Sequence, residues 1–180
     1  MKKIVIIGPE STGKSTLCEQ LAKHFTTLYC PEFARDYLTE HDMEYSFEDL
    51  LTIAKGQLGL EEEFVKKVSN QRENSGCIFI DTDMYVMKVW CEYVFGKCHQ
   101  FILDAIAERK YDLYLLCNID LPWAYDPLRE YPTEEHRKEL FRIYKDILIN
   151  QQTPWAMISG SYGERLQTAI KAIEDFCMNK

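Results

Sequence analysis

No stretch of this 180-residue chain is apolar over a length that could cross a bilayer, which excludes a membrane-spanning helix. The N-terminal "MKKIVIIG" begins like a signal peptide. Its apolar run is short and no small-residue cleavage site follows, so it reads as a first strand. Positive charge is scarce: 21 Lys and Arg stand against 29 Asp and Glu, a net charge of −8. A general nucleic-acid binder needs a basic face and is excluded. A small anionic ligand, held by a few local cations, is not. Seven cysteines are present (Cys18, Cys30, Cys77, Cys91, Cys98, Cys117 and Cys177), with no C-x-x-C pair. The odd count and missing framework predict reduced, mostly buried thiols in a cytoplasmic protein. Repeats, low-complexity segments and linkers are also missing, so one domain over residues 1–180 is expected.

Hydrophobic residues make up 46% of the chain, enough for a core. Lys3 to Ile7 has both faces apolar, the pattern of a buried parallel strand. Lys14 to Phe25 reads as a helix on Leu17, Leu21 and Phe25. "TLYC" (27–30) reads as a second strand, followed by a helical stretch through "EFARDYL". Residues 46–73 form a long helical region. Ser46 can cap it, with Asp49 three residues on as a near capping box, and Gly56 and Gly59 weaken its middle, which predicts a bend or break near 56–60. Asn74-Ser75-Gly76 stops it. Strands follow at 77–80, 113–117 and 155–159, with helices at 83–95, 100–109, 133–150 and 164–177. Strands alternating with helices predict an α/β fold with a doubly wound, five-stranded parallel sheet.

"IVIIGPESTGKST" (4–16) contains Gly8-Pro9-Glu10-Ser11-Thr12-Gly13-Lys14-Ser15, which fits G-x-x-x-x-G-K-[ST] after a strand and before a helix. The glycines let backbone N–H groups point inward at phosphate oxygens. The helix adds its N-terminal partial charge. Lys14 places an ammonium on the β- and γ-phosphates, and Ser15 offers a hydroxyl to Mg²⁺. ATP or GTP binding follows. Glu10, a carboxylate inside an anion-binding loop, is expected to point outward to solvent.

A P-loop enzyme also needs an acid at the end of a neighbouring strand, to help hold Mg²⁺. "CIFIDTD" supplies Asp81, with Asp83 two residues on and Thr82 or Asp83 available as a helix cap. Glu32 is expected at the carboxyl end of the second strand, where ligands collect in such sheets. It serves either as a helix-terminal acid or as the base that takes a proton from an acceptor hydroxyl. Asp83 is the other candidate base. Arg35 either touches the transferring phosphoryl group or pairs with Asp36.

Residues 119–142 read as a Pro-broken lid. Trp123, Tyr125 and Tyr131 offer either core packing or a face for a flat or cationic ring. Asp126, Arg129, Arg137 and Arg142 surround them. Lid arginines can meet the charge developing on a γ-phosphate; the alternative is a solvated helix face.

The motifs "GPESTGKST", "CPEFARDYL", "FIDTD", "GKCH", "PWAYDPLR" with a following "HR", and "SYGERL" resemble the nicotinamide-riboside kinase domain of NadR-type bacterial NAD-biosynthesis proteins. The resemblance runs roughly from Ile4 to Ala172 and implies a P-loop kinase with a lid. Such a kinase moves the ATP γ-phosphate to the 5′-hydroxyl of nicotinamide riboside, with Mg²⁺ as cofactor. It implies nucleotide contacts from Gly8, Glu10, Ser11, Thr12, Gly13, Lys14, Ser15, Thr16 and Tyr162. It implies metal binding by Ser15 and Asp81, and catalytic roles for Lys14, Glu32, Asp81, Asp83, Arg129 and Arg137. Glu32, Arg35, Gln57, Asp83 and Trp123 fall on the substrate side, with Trp123 as a platform for the pyridinium ring. The loop departs from the family pattern at Tyr125 and Pro127. The family's parent proteins add an H-x-G-H nucleotidyltransferase and a helix-turn-helix. Neither is found in this chain, so adenylyl transfer and repression are expected to be absent.

Two other readings compete. One is a P-loop kinase for another nucleoside or a nucleotide. The other is a regulatory ATP-binding or ATPase module with a protein partner. Assembly into a homo-oligomer stays open.

Overall fold

Ile4, Val5, Ile6 and Ile7 have no exposed surface, and their side chains alternate between two separate cores. A strand buried on both faces sits in the middle of a sheet covered by helices on each side. The computed structural model describes residues 1–71 and 76–178. The stop expected at Asn74-Ser75, and the Cys177 side chain, lie outside the described residues.

The chain runs β1 (Lys2–Ile7), α1 (Lys14–His24), β2 (Tyr29–Cys30), α2 (Phe33–Glu40), α3 (Phe47–Ser69), β3 (Cys77–Asp81), α4 (Met84–Phe95) and α5 (Gln100–Glu108). It continues through β4 (Leu113–Cys117), α6 (Glu134–Ile149), β5 (Trp155–Ile158) and α7 (Tyr162–Ile173), ending in a short π-helix at Glu174–Met178. All strands are parallel, in the order β2-β3-β1-β4-β5. This is the doubly wound sheet that the alternating pattern predicts. Residues Ile4 and Ile6 pack with Leu17 and Leu21 of α1 and Ala169, Ile170 and Ile173 of α7. Val5 and Ile7 pack with Val89 of α4 and Leu140, Tyr144 and Leu148 of α6. A further layer joins α2, α3, α4 and α5 through Leu38, Leu50, Ile53, Met87 and Ile102. Each fully buried aliphatic side chain contributes about 1.5–3 kcal/mol. The thiols of Cys18, Cys30, Cys77, Cys91 and Cys117 are buried in these cores and form no disulfide among the described residues.

Three elements differ from expectation. The second strand shrinks to Tyr29–Cys30 because Thr27 turns away: its N–H donates to the Ala22 carbonyl and its hydroxyl to the Cys77 carbonyl. Helix α7 starts earlier because Ser161 caps it, in a capping box with Glu164. Helix α3 runs unbroken through both glycines. Its expected capping box of Ser46 and Asp49 is present. Gly56 has a packing reason, since a Cβ there would fall 2.3 Å from the Phe33 ring, whereas one at Gly59 would meet nothing within 4 Å.

The register positions the site. Ile6 of β1 pairs with Asp81 of β3, and Cys30 of β2 pairs with Ile80. The carboxyl ends of β1, β3 and β2 therefore lie side by side. They bring together Gly8, Asp81 and the Pro31-Glu32 turn.

The two α3 glycines give opposite expectations. Gly59→Ala should raise stability by about 0.5–1 kcal/mol through the better helix propensity of alanine. Gly56→Ala should lower it by forcing Phe33 from its seat. Urea unfolding of the two variants reads both signs.

Candidate active site

The phosphate loop is shaped by its glycines and held by its carbonyls. Gly8 has φ 145°, and a Cβ there would lie 2.8 Å from the Cys117 carbonyl oxygen. Gly13 has φ 76° and forms the N-cap of α1, with no side-chain cap and no acid in the first helical turn. The N-terminal N–H groups of α1 are thus free for an anion. The Pro9 carbonyl accepts from the Thr12 hydroxyl at 2.7 Å and from Lys14 Nζ at 2.9 Å. Tyr162 lies against the far side of the loop, its Cε1 3.3 Å from where a Gly13 Cβ would be.

Asp81 is 1% exposed, and its Oδ1 has no hydrogen-bond partner among the described residues. Burial pushes its carboxyl up, opposed by Lys14, by a hydrogen bond from Ser15 and by Arg35. An unpaired carboxylate oxygen beside a P-loop serine fits Mg²⁺, which takes one or two protein oxygens and completes its shell with phosphate and water. Among the described residues no three His, Cys, Asp or Glu side chains converge as a metal cage. Ser15 and Asp81 alone would leave the rest of such a shell to phosphate and water.

The loop borders a cavity of about 220 Å³. Glu32, Arg35 and Arg129 line it along with Gly8 through Thr16, and Leu38, Tyr45, Trp90, Tyr93, Tyr131 and Tyr144 form much of the remaining wall. Glu32 is the N-cap residue of α2 but makes no side-chain cap bond, so its carboxylate stays available to the cavity. Burial and the nearby Asp81 push its carboxyl up, while Lys14 and Arg35 pull it down. Arg35 pairs with Asp126 of the lid at 2.9 Å, rather than with Asp36.

Several expected site residues lie elsewhere. Gln57 is 1% exposed and braces the turn beneath Glu32. Its Oε1 accepts the Phe33 N–H at 2.7 Å, and its Nε2 donates to the Pro31 carbonyl at 3.2 Å. Asp83 caps α4: its Oδ1 accepts the N–H groups of Tyr85 (3.0 Å) and Val86 (3.3 Å), and its Oδ2 takes the Tyr114 hydroxyl at 2.8 Å. Neither residue lines the cavity. Trp123 does not line it either. The Arg129 and Arg137 guanidiniums sit 5.7 and 5.9 Å from its ring centroid, so the ring lies against the chain's own cations. Arg137 is buried and ties α6 to the loop, Nη2 donating at 3.2 Å to the carbonyls of both Ser11 and Leu121. Arg129 donates to the Ser11 hydroxyl at 3.3 Å and to the Ala124 carbonyl. Arg142 is exposed on its helix, and Tyr125 is 87% exposed.

Glu10 corrects the expectation that it faces solvent. Its carboxylate accepts the lid N–H groups of Glu130 and Tyr131 at 3.1 Å. The Glu130 carboxylate in turn accepts from the Tyr45 hydroxyl at 2.8 Å, and Tyr45 accepts from Trp90 Nε1 at 3.0 Å. Sequence reasoning also missed Arg165, which is 2% exposed. It donates to the carbonyls of Gly160 (2.8 Å), Thr12 (2.8 Å) and Asn118 (2.9 Å), and to Asp120. Its signal was there to read: an arginine four residues before Ala169, on the apolar side of an amphipathic helix.

The sheet order, the loop and the strand-end acid define a P-loop nucleotide-binding fold of the kinase type. A family model described as an AAA domain matches residues 3–165, and the chain belongs to that family of P-loop proteins. Two curated relatives are trifunctional NAD biosynthesis/regulator proteins, NadR, from Escherichia coli (strain K12) and Salmonella typhimurium (strain LT2). They are 31% and 32% identical over 97% of this chain. The chain spans 42% of the length of each. Its fold is similar to that of a NadR protein solved in complex with NR, with TM-score 0.77 and 23% identity over 99% of this chain and 51% of that one. A thymidylate kinase from Ehrlichia chaffeensis also shares the fold, with TM-score 0.68 and 15% identity over 96% of this chain and 98% of that one.

Two outcomes follow from the corrected placements. Burial raises the Asp83 carboxyl from 3.8 to about 6. Between those values the folded state binds the proton and the unfolded state has lost it, so this group makes stability fall as pH rises from about 4 to 6 and leaves a constant penalty above. Asp83→Asn should remove that slope while keeping the cap, which denaturation across that pH range would show. Glu10→Ala should strip protection from the amides of Glu130 and Tyr131. Their hydrogen exchange should quicken about tenfold, the equivalent of one net hydrogen bond.

Proposed function

We propose that this chain phosphorylates nicotinamide riboside at its 5′-hydroxyl, using ATP and Mg²⁺ and giving nicotinamide mononucleotide and ADP. The observation that carries this reading is Glu32, a carboxylate free of its own helix, beside the phosphate loop in an aromatic-walled cavity. In-line transfer needs the acceptor hydroxyl close to the γ-phosphate and a group to take its proton. Glu32 fits that role, since its raised carboxyl is a better base than an exposed one. The bonds that Asp83 makes to Tyr114 and α4 favour Glu32 over it.

Lys14 and the free amides of α1 would hold the phosphates. Arg129 lines the same cavity and would meet charge on the transferred group. Ser15 and Asp81 would hold Mg²⁺, which would supply positive charge against the charge that develops on the phosphates. The pyridinium of nicotinamide riboside is flat and cationic. Tyr45, Trp90 and Tyr131 supply aromatic surface, and Glu10, Glu32 and Glu130 supply negative charge around it. That wall replaces Trp123 as the seat we assign to the ring. The only cations among the described lining residues are Lys14, Arg35 and Arg129, at the loop and the lid. A nucleotide acceptor would need further cations for its own phosphate. The relatives named NadR, one solved in complex with NR and another with NAD and AMP-PNP, support this choice of acceptor and donor.

A mass-spectrometric assay for ATP-dependent gain of one phosphoryl group, run over a nucleoside and nucleotide panel, tests the proposal. Nicotinamide riboside should react, and Lys14→Ala should lose about 10²-fold or more in turnover. An inert nicotinamide riboside beside another phosphorylated nucleoside refutes it. ATP hydrolysis with no acceptor consumed would favour the regulatory ATPase reading.

A further inference from the structure

Strand β3 ends at Asp81, and the next residue reverses the chain. Thr82 has φ 81°, a left-handed conformation that β-branched residues rarely adopt and that persists only where surrounding structure imposes it. The reversal has two consequences. Asp83 swings into the N-cap of α4 and onto the Tyr114 hydroxyl. Thr82 is then the one member of Asp81-Thr82-Asp83 that lines the cavity.

Thr82 is 1% exposed, and its Oγ1 has no hydrogen-bond partner among the described residues. Buried hydroxyls are nearly always satisfied, so an orphan beside a cavity marks a place kept for a partner from outside. The two anomalies, strain and an orphaned hydroxyl, fall on the same residue. Valine in its place would have the same shape and no unmet hydrogen bond. Tyr144 reaches the same cavity from α6. The cavity thus offers neutral hydroxyls along with the Glu32 carboxylate.

We infer that Thr82 is a binding residue for the acceptor's sugar, its hydroxyl exchanging a hydrogen bond with a ribose hydroxyl of the nucleoside. This inference rests on the reading of the chain as a riboside kinase and adds a specificity determinant to it. A hydroxyl both donates and accepts, so it matches another hydroxyl in either sense. A site built this way rejects the analogue that lacks the partner, because its own buried group then stays unpaired. Thr82 takes the substrate-side role that the family resemblance implied for Asp83.

The test compares wild type, Thr82→Val and Thr82→Ser with nicotinamide riboside and its 2′-deoxy and 3′-deoxy counterparts, at saturating ATP. Thr82→Val should lose about tenfold or more in kcat/KM for the riboside, mainly through KM. Its ATP affinity by calorimetry should stay within about twofold of wild type, since no phosphate contact is touched. Thr82→Ser should recover most of the loss. One deoxy analogue should be poor for wild type and no poorer for Thr82→Val, identifying the hydroxyl involved. The Tm of Thr82→Val should hold or rise by about 2–4 °C, because no bond within the protein is lost. Wild-type kcat/KM in Thr82→Val, or an equal loss on all three acceptors, overturns the inference while leaving the kinase reading intact. A wild-type chain that phosphorylates no riboside overturns both.

Discussion

A loop that turns its amides inward to bind an anion turns its carbonyls outward, and those carbonyls need donors of their own. Here two of the donors are buried guanidiniums. Arg165 takes the Thr12 carbonyl and Arg137 takes the Ser11 carbonyl, while Lys14 and the Thr12 hydroxyl share that of Pro9. The rest of the site hangs on this arrangement. Arg165 also reaches Asn118, Asp120 and Gly160, so the ends of β4 and β5 converge on the loop. Arg137 reaches Leu121 and so fixes the start of the lid.

The same loop holds the lid from the other side. Glu10 takes two lid amides, and the Ser11 hydroxyl accepts from the Ala124 N–H and from Arg129. Arg35 and Asp126 add an ion pair between α2 and the lid. The cavity is therefore walled by a segment whose position depends on the phosphate loop. The chain's net charge of −8 hides this geography. Lys14, Arg35, Arg129, Arg137 and Arg165 gather at one edge of the sheet, where phosphate charge would collect, and carboxylates border the cavity beside them.

Much of the fold could be read in the sequence because its signals are local and periodic. Apolar runs marked the buried strands, and Ser46 with Asp49 marked the start of α3. The phosphate loop, Asp81 and Glu32 were legible because each sits at the end of a strand, where a parallel sheet delivers its residues to one edge. Gly56 was misread as a weak point because its neighbour, Phe33, comes from another element. Glu10, Gln57 and Arg165 were missed or misplaced for the same reason. Their partners are distant in sequence: 153 residues separate Arg165 from Thr12, and 121 separate Glu10 from Tyr131.

The sequence by itself determined that this chain forms a parallel sheet with a nucleotide loop after its first strand, since period and motif spacing are properties of neighbouring residues. Only the tertiary structure decided which side chains reach the cavity. A left-handed turn at Thr82 sends Asp83 into the helix cap and leaves Thr82 on the cavity wall. Two lid guanidiniums come to rest against Trp123. Such choices depend on the sign of one backbone angle and on contacts across the fold, and no spacing of residue types records either.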